Sequence, residues 1–304
     1  MIRLQQNAKG LGSNLLITLI TTDEENAQST FKQLWAQINA FEQRFSRFIE
    51  NSEISNFNKK AGYQNHISSQ FRQLLEQAKN YSISTGGLFN PFVLPALQKS
   101  GYKGSWPEVH NFNNKIDFSD RLAYEAKEIK IYKNSAQIPA NSAIDFGGIG
   151  KGFLLDLLAE KLLKKGYENF WISLGGDIIC HGFDLDSKPW SITIEGLDGH
   201  EDAGIIVNSS GTKMAIASSG IIKRKGANWH HIIDPRYNQP AKTDILVATI
   251  ATDNATEADI YAKSMVILGS KDAESLIKTK KYYATALQIS HNGNVMINKT
   301  GNIQ

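Results

Sequence analysis

Ile144-Asp145-Phe146-Gly147-Gly148-Ile149-Gly150-Lys151-Gly152 is the stretch whose residue types and spacing best suit chemistry. A short apolar run, read as a strand over Ala143–Phe146, leads into a glycine-rich turn, and an amphipathic helix follows at once. The first turn of a helix leaves backbone N–H groups unbonded, and together with the helix dipole they favour an anion such as phosphate. The stretch is not a Walker A loop, because Gly152 stands where Ser or Thr would follow the lysine, and it is not a G-x-G-x-x-G dinucleotide fingerprint. Alone, these residues fit a phosphate cradle and a plain strand-to-helix turn equally.

Four further groups can carry chemistry. His230 and His231 are adjacent on a strand-like run, Trp229–Ile233. Neighbouring strand residues point to opposite faces, so the two imidazoles cannot share one metal, whereas one of them in a cleft can serve as a general base. A satisfied structural histidine is the competing reading. Asp259 and Lys263 lie four apart at the start of a helix and share a face; the plain reading is a surface ion pair worth a few tenths of a kcal/mol. Leu174-Gly175-Gly176-Asp177 places a glycine pair between two strands, either for close backbone approach or as a bulge. Ser218-Ser219-Gly220 ends a strand with hydroxyls and N–H groups, or forms a β-turn.

The elements that must position these groups follow from periodicity. SNLLITLI at 13–20 reads as a buried strand, after which Thr22 can cap a long helix. Ala27, Phe31, Leu34, Ile38, Phe41, Phe45 and Phe48 recur at spacings of four and three and predict one apolar helix face. A second helix spans 69–84, with Phe71, Leu74, Leu75 and Ala78 inward and Gly86-Gly87 as its stop. Residues 100–127 are polar and irregular, and Glu128–Tyr132 is strand-like. The helix of the glycine-rich turn covers about 150–165 and ends at Gly166. Strands then dominate, at 169–174, 177–181, 189–195, 204–208, 213–218 and 246–252. Asn254 or Thr256 caps a helix running to Leu268, a further helix covers 271–279, and a hairpin closes around Asn292-Gly293. No repeat, low-complexity tract or Pro-rich linker divides the chain, which predicts one continuous α+β unit.

Composition narrows the classes of function. Over 304 residues the chain carries 33 Lys plus Arg against 30 Asp plus Glu, a formal charge of +3, with no basic block. That is not the electrostatic footprint of a nucleic-acid binder. Lys161, Lys164 and Lys165 gather late in a helix, where the dipole favours cations. The one cysteine, Cys180, cannot form an intramolecular disulfide and reads as a buried, inert thiol. No apolar run is long enough to span a bilayer. MIRLQQNAKG lacks the apolar centre of a secretory signal, so the chain as given is expected to be cytoplasmic, or exported and membrane-anchored if a leader has been removed.

In order along the chain, these segments resemble the ApbE family, the FAD:protein FMN transferases, over about residues 11–300, with residues 1–10 left as an N-terminal extension. Leu11-Gly12-Ser13 is similar to the family's opening strand. Phe45-Ser46-Arg47-Phe48 with Ser52–Asn58 is similar to its "FS-x-aromatic … SEISRLN" signature, and Thr85–Pro91 to "TGGAFDP". The glycine-rich turn, ending in Asp156, resembles "DLGGIAKGYAVD". Leu174–Asp177 matches "LGGD", and His230–Pro240 resembles "HHIIDPRTGYP". Each piece is weak alone; together and in order they are specific.

The resemblance implies an α+β fold with mixed or antiparallel sheets flanked by helices. It implies transfer of the FMN half of FAD to a Ser or Thr hydroxyl of an acceptor flavoprotein, with Mg²⁺ and release of AMP. By the same resemblance Phe48 packs on the flavin. Leu88, Phe89, Asn90, Asp145, Gly147, Lys151, Phe153, Ser219 and Ile233 contact FAD. His231 is the base, and the Gly150 carbonyl with Asp259 holds the metal.

The sequence departs from the family at Lys263, where the family's metal site has Thr, at Asn90, where it has Asp, and at Tyr237-Asn238, where it has Thr-Gly. An ammonium has no lone pair for Mg²⁺, but Lys263 could stand in the metal's place beside Asp259, while Ser264 would reach that site only with a shift of helix register. Three readings therefore stand side by side: a transferase with a modified cation site in which His231, Asp259 and Lys263 act, an FAD-binding protein without transfer chemistry, and an FAD pyrophosphatase that releases free FMN.

Overall fold

The computed structural model describes residues 1–102, 124–195, 202–226, 229–279, 284–289 and 295–299. In chain order the elements are β1 (Ile2–Gly10), β2 (Ser13–Thr21), α1 (Glu24–Phe45), α2 (Glu53–Lys59), β3 (Asn65–His66), α3 (Ser69–Ser84) and α4 (Leu94–Lys99). β4 (Lys130–Ile131), β5 (Ser135–Gln137), α5 (Gly150–Lys164), β6 (Phe170–Leu174), β7 (Asp177–His181), β8 (Ser191–Glu195), β9 (Asp202–Asn208) and β10 (Met214–Gly220) follow. The chain closes with β11 (Ile233–Asp234), β12 (Gln239–Pro240), β13 (Ile245–Thr252), α6 (Ala255–Leu268), α7 (Ser270–Thr279), β14 (Ala284–Ile289) and β15 (Val295–Lys299). These elements form two compact units. One comprises Met1–Ala40, Lys151–Gly220 and Thr243–Gln304, the other Phe41–Gly150 and Ile221–Lys242.

The first unit is built on an eight-stranded sheet in the order β1-β2-β6-β7-β10-β13-β14-β15, antiparallel at every pairing. β2 and β6 bury Leu15, Ile17, Leu19, Phe170, Ile172 and Leu174. The period of two in Phe170-Trp171-Ile172-Ser173-Leu174 is what puts one face of that strand inward. Residues 2–10, set apart as an extension in the sequence, are the edge strand β1, in register with β2 from Ile2↔Thr21 to Gly10↔Ser13. Leu11 and Gly12 both have positive φ and form the two-residue turn of that hairpin, so the strand opens at Ser13 and not at Leu11. A two-stranded ribbon, β8-β9, packs Ile192, Ile194 and Val207 with Trp190, Met214, Ile216 and Cys180. Burial pushes the Cys180 thiol up to about 12, the inert thiol expected of it. α6 lies on β7, β10 and β13.

α1 starts one residue later than a cap at Thr22 would place it. Asp23, not Thr22, bonds the first turn, its Oδ1 accepting from the Asn26 amide at 2.9 Å. Asn254 is the cap of α6, accepting from Glu257 N at 2.8 Å. The closing pair β14-β15 is antiparallel, as expected; its turn at Asn292-Gly293 lies outside the described residues. Among the described residues no helix is long and apolar enough to cross a membrane.

The second unit has an aromatic core. Phe45 packs, tilted or edge-on, against Phe41, Phe71 and Phe146 at ring centroid distances of 4.6, 5.9 and 5.8 Å, and Phe57 meets Phe71 at 5.0 Å. Phe48 falls beyond the end of α1 and leaves its stripe. α2, which the periodicity does not signal, is capped by Ser52, whose Oγ accepts from Ser55 N at 3.2 Å. Its Glu53 carboxylate in turn accepts from the amide and the hydroxyl of Ser68, at 2.6 and 2.8 Å, and Ser68 caps α3. One small sheet, β3-β5-β4, and the β11-β12 pair complete the unit.

Two strand expectations fail here. Ala143–Phe146 is buried but not a strand. Its backbone bonds a side chain instead of a neighbouring strand: Asn58 Nδ2 donates to the Ile144 carbonyl at 2.8 Å, and Ile144 N donates to Asn58 Oδ1 at 2.9 Å. One amide side chain thereby satisfies both groups of a buried residue without a ladder. Trp229–Ile233 also is not a continuous strand; it holds a single bridge, Lys225↔His230, before β11. The predicted strand at 128–132 shortens to β4.

Candidate active site

The residues that the sequence singled out gather in two groups, one in each unit. In the second unit the frame is a turn of aromatic side chains around a buried guanidinium. Tyr102 lies in a buried cluster with Ala96, Leu97 and Ile233, and Phe48 and Trp229 pack against it. The Arg47 guanidinium carbon is 4.6 Å from the Phe48 ring centre and 4.8 Å from that of Tyr102. Its Nη1 is 3.4 Å from Asp145 Oδ2, and the arginine side chain is only 9% exposed. Asp145 is fixed from both sides: its amide donates to the Pro91 carbonyl at 2.8 Å, and its Oδ2 accepts from Gly147 N at 3.1 Å. A second guanidinium nitrogen, Arg47 Nη2, is buried with no hydrogen-bond partner. A buried donor left unmatched costs about 1–3 kcal/mol, so an acceptor is expected to fill it when a ligand is bound.

His231 sits beside Tyr102, ring centres 6.4 Å apart. Its Nδ1 is 3.2 Å from the Arg224 carbonyl, and its amide donates to that same carbonyl at 3.1 Å. A carbonyl can only accept, so Nδ1 carries the proton and Nε2 is the basic nitrogen of the neutral ring. His230 turns to a different segment, with Nε2 3.1 Å from the Ala241 carbonyl, and burial lowers its pKa. The two imidazoles thus divide as adjacent strand positions would. Downstream, Asp234 accepts from Arg236 Nε and Nη2 at 2.9 and 2.7 Å, and Asn238 has a positive φ. Asn tolerates that conformation better than most residues, which accommodates its place in a turn where the family has glycine.

Leu88 and Phe89 follow the glycine stop of α3, and Phe89 is buried. The Asn90 side chain is committed to the fold at both ends: Oδ1 accepts from Phe92 N at 3.0 Å and Nδ2 donates to the Tyr124 carbonyl at 2.9 Å. A carboxylate could not make the second bond, which gives the departure from Asp a local reason. Gly150, also in this unit, starts α5 and donates its amide to the Phe146 carbonyl at 2.7 Å.

In the first unit, a buried polar cluster forms on β7, β10, α5 and α6. Lys151 Nζ donates to Asp177 Oδ2, and Lys263 Nζ donates to Asp259 Oδ1, each at short range. Asp259 is 1% exposed and Lys263 17%, so the pair is not on the surface, contrary to the plain reading of its spacing. α6 is apolar on nearly every side, with Ala258, Ile260, Tyr261, Ala262 and Met265 buried, and a helix apolar all round is interior. Burial pushes the Asp177 carboxyl up; Lys151 and Lys263 pull it down, and the Asp259 charge pushes it up. Asp177 Oδ1 is 3.4 Å from the Ser218 amide, and the Ser218 and Thr249 hydroxyls are 2.8 Å apart. Ser218-Ser219-Gly220 lies within β10, paired with β13, and is not a turn; Ser219 is buried. Phe153 is buried on α5.

The glycine spacing of the turn has a packing cause as well. A Cβ on Gly152 would stand 2.5 Å from the Ala255 carbonyl oxygen and 2.6 Å from Thr256 Cα, so the start of α5 touches the backbone at the start of α6. Asp156, one turn on, holds that backbone: its carboxylate accepts from Ala255 N and Thr256 N, both at 2.9 Å, and from the Thr256 hydroxyl at 2.6 Å. These bonds lower the Asp156 pKa, but burial, the larger effect, raises it on balance.

The donor set does not fit a divalent cation. Asp259 Oδ1 already accepts an ammonium proton, and Ser264, the nearest hydroxyl on α6, donates to the Ile260 carbonyl at 2.9 Å and is fully buried. In this cluster the other oxygen, Asp259 Oδ2, is buried without a hydrogen-bond partner. A divalent ion bound there would lie close to the Lys263 charge; at about 4 Å and an effective dielectric of 20 the two repel by roughly 8 kcal/mol. Among the described residues no group of three or more His, Cys, Asp and Glu could hold a metal.

Sequence reasoning missed Arg47, Tyr102 and Asp177 as members of these groups. Arg47 lay inside a motif read for its phenylalanine, and Tyr102 at the edge of a polar stretch. Asp177 was read only for the glycines before it, although a carboxylate directly after a tight turn in an otherwise apolar strand is a usable signal.

An α+β fold with antiparallel sheets flanked by helices, as expected, is also the fold of solved flavin transferase structures. The apo flavinyl transferase ApbE of Pseudomonas stutzeri superposes with a TM-score of 0.82 at 19% identity, covering 98% of this chain and 95% of that one. The ApbE protein of Thermotoga maritima gives 0.85 at 20%, covering 98% of each. The family model described as the ApbE family matches residues 11–287, and the chain belongs to the ApbE family. Curated relatives include the FAD:protein FMN transferases of Haemophilus influenzae, 24% identical over 84% of this chain and 76% of the relative. That of Vibrio cholerae is 26% identical over 82% and 75%.

Proposed function

We propose that this chain is an FAD:protein FMN transferase. Membership of the family makes it a transferase; the roles of its residues are our assignment. The observation that carries the reading is the match over residues 11–287, with the glycine-rich turn, His231 and Asp259 all in place. FAD is the donor and an acceptor flavoprotein supplies a Ser or Thr hydroxyl. The acceptor oxygen attacks the phosphorus of the FMN half. A new P–O bond forms, the anhydride bond to the AMP half breaks, and AMP leaves. His231 Nε2 takes the hydroxyl proton, a role suited to an imidazole whose other nitrogen is held by the Arg224 carbonyl. Phe48 and Tyr102 form the apolar wall for the flavin, and backbone amides of the glycine-rich turn face its phosphates.

Arg47 Nη2 is assigned to an acceptor oxygen of the flavin ring. Arg47→Met is expected to weaken FAD binding by about tenfold to a hundredfold, the worth of one hydrogen bond from a charged donor. Quenching of flavin fluorescence reads the affinity. Riboflavin, which has the ring and no phosphate, should lose the same factor; equal affinity of the variant and the parent for riboflavin contradicts the assignment. The transferase reading itself is tested by incubating the protein with FAD and quantifying AMP and FMN.

A further inference from the structure

We propose that the Lys263 ammonium is the resident cation of the buried cluster on α6 and β7 and binds a phosphate oxygen of FAD itself, so that this chain needs no divalent metal. The inference rests on the transferase reading for the identity of the ligand, and on the geometry of the cluster for the rest. The cluster holds two carboxylates, Asp177 and Asp259, and two ammonium groups, Lys151 and Lys263, paired one to one. Its charge is balanced by side chains alone. A metal bound there would add two positive charges to a set that is already neutral, and one of the two lysines would have to leave.

Lys263 is held as a ligand-binding group would be. It donates to Asp259 Oδ1 and to the Asp259 carbonyl, the latter at 3.2 Å. An ammonium has three N–H groups, and the third bonds no described residue. The side chain is 17% exposed while its partner is 1% exposed, so a partly accessible lysine is anchored on a buried carboxylate. An anchored ammonium with an uncommitted proton suits a phosphate oxygen, and unlike Mg²⁺ it needs no octahedral set of oxygens. Lys263 would then supply the charge that the leaving AMP phosphate needs.

Magnesium calorimetry on the wild-type protein, stripped with EDTA and desalted, reads this directly and requires no variant. The expected result is no saturable heat, together with flavin transfer that EDTA leaves within about twofold. Binding of one magnesium per chain, or transfer abolished by EDTA, overturns the inference. Lys263→Thr, which removes the ammonium and supplies an oxygen, is expected to bind magnesium saturably and to become magnesium-dependent. Lys263→Met is expected to weaken FAD binding by tenfold or more, and an unchanged affinity would count against the phosphate contact. A wild-type chain that binds no magnesium yet transfers no FMN supports the lysine and sinks the transferase reading, so the two failures are distinguishable.

Discussion

His231→Asn lowers the rate of FMN transfer by about a hundredfold to ten-thousandfold, the usual worth of a positioned general base, and leaves FAD affinity within about threefold. Asparagine is the informative replacement. Its side-chain amide can still donate to the Arg224 carbonyl that Nδ1 now holds at 3.2 Å, so the loop keeps its anchor while the basic nitrogen is lost. Single-turnover transfer from FAD, with affinity followed separately by fluorescence, separates the two effects. A variant that transfers at the parental rate would show that the hydroxyl proton goes elsewhere. The neighbouring His230 gives the contrast: its Nε2 is engaged by the Ala241 carbonyl and its Nδ1 is buried, so it serves packing.

Gly152→Ala is the second large effect, and it acts on stability. The added Cβ would stand 2.5 Å from the Ala255 carbonyl oxygen and 2.6 Å from Thr256 Cα. Both are backbone atoms, and the three bonds from Asp156 to Ala255 and Thr256 pin them. Neither α5 nor α6 can give way without breaking that cap. Overpacking of this kind costs about 1–3 kcal/mol, roughly 2–5 °C in melting temperature for a protein of this size. Gly150→Ala on the same turn is the control. Its Cβ would meet the Phe41 ring at 3.6 Å and Phe146 Cβ at 4.0 Å, both ordinary contacts, and the melting temperature should move by no more than about 1 °C. Equal melting temperatures for the two variants would contradict the packing role given to Gly152. Because α6 also carries Asp259 and Lys263, the Gly152 variant should lose FAD affinity along with stability.

The parts of the fold that were legible are those with a strong local period. α3 over 69–84 announces itself by apolar residues three and four apart between a cap and a glycine stop, and α5 by the same spacing ahead of Gly166. β6 and β7 show the alternation and glycine pair of a hairpin, and Gly175 and Gly176 both take the positive φ that such a turn requires. What was not legible depends on partners distant in sequence. Ala143–Phe146 reads as a strand by composition, but Asn58, 86 residues earlier, takes its hydrogen bonds. α2 is too short for a period to emerge. Residues 2–10 are polar enough to pass for a tail, because an edge strand needs little apolar surface.

The site divides in the same way. Spacing placed Asp259 and Lys263 together on α6, but a separation of four is the same on a buried helix as on an exposed one. The apolar residues all around α6 were the signal that decides for the interior. Arg47 had no such signal. A single arginine between two aromatic residues looks like any exposed cation until Tyr102, 55 positions later in the chain, closes over it.

The most direct test of the account is to incubate the protein with FAD, with and without Mg²⁺, in the presence and absence of a Ser/Thr-bearing acceptor flavoprotein, and to quantify AMP, free FMN and protein-bound flavin. The account predicts AMP release matched one to one by flavin covalently bound to the acceptor. AMP matched by free FMN in the presence of the acceptor would contradict transfer, and no AMP under any of these conditions would contradict the enzyme itself.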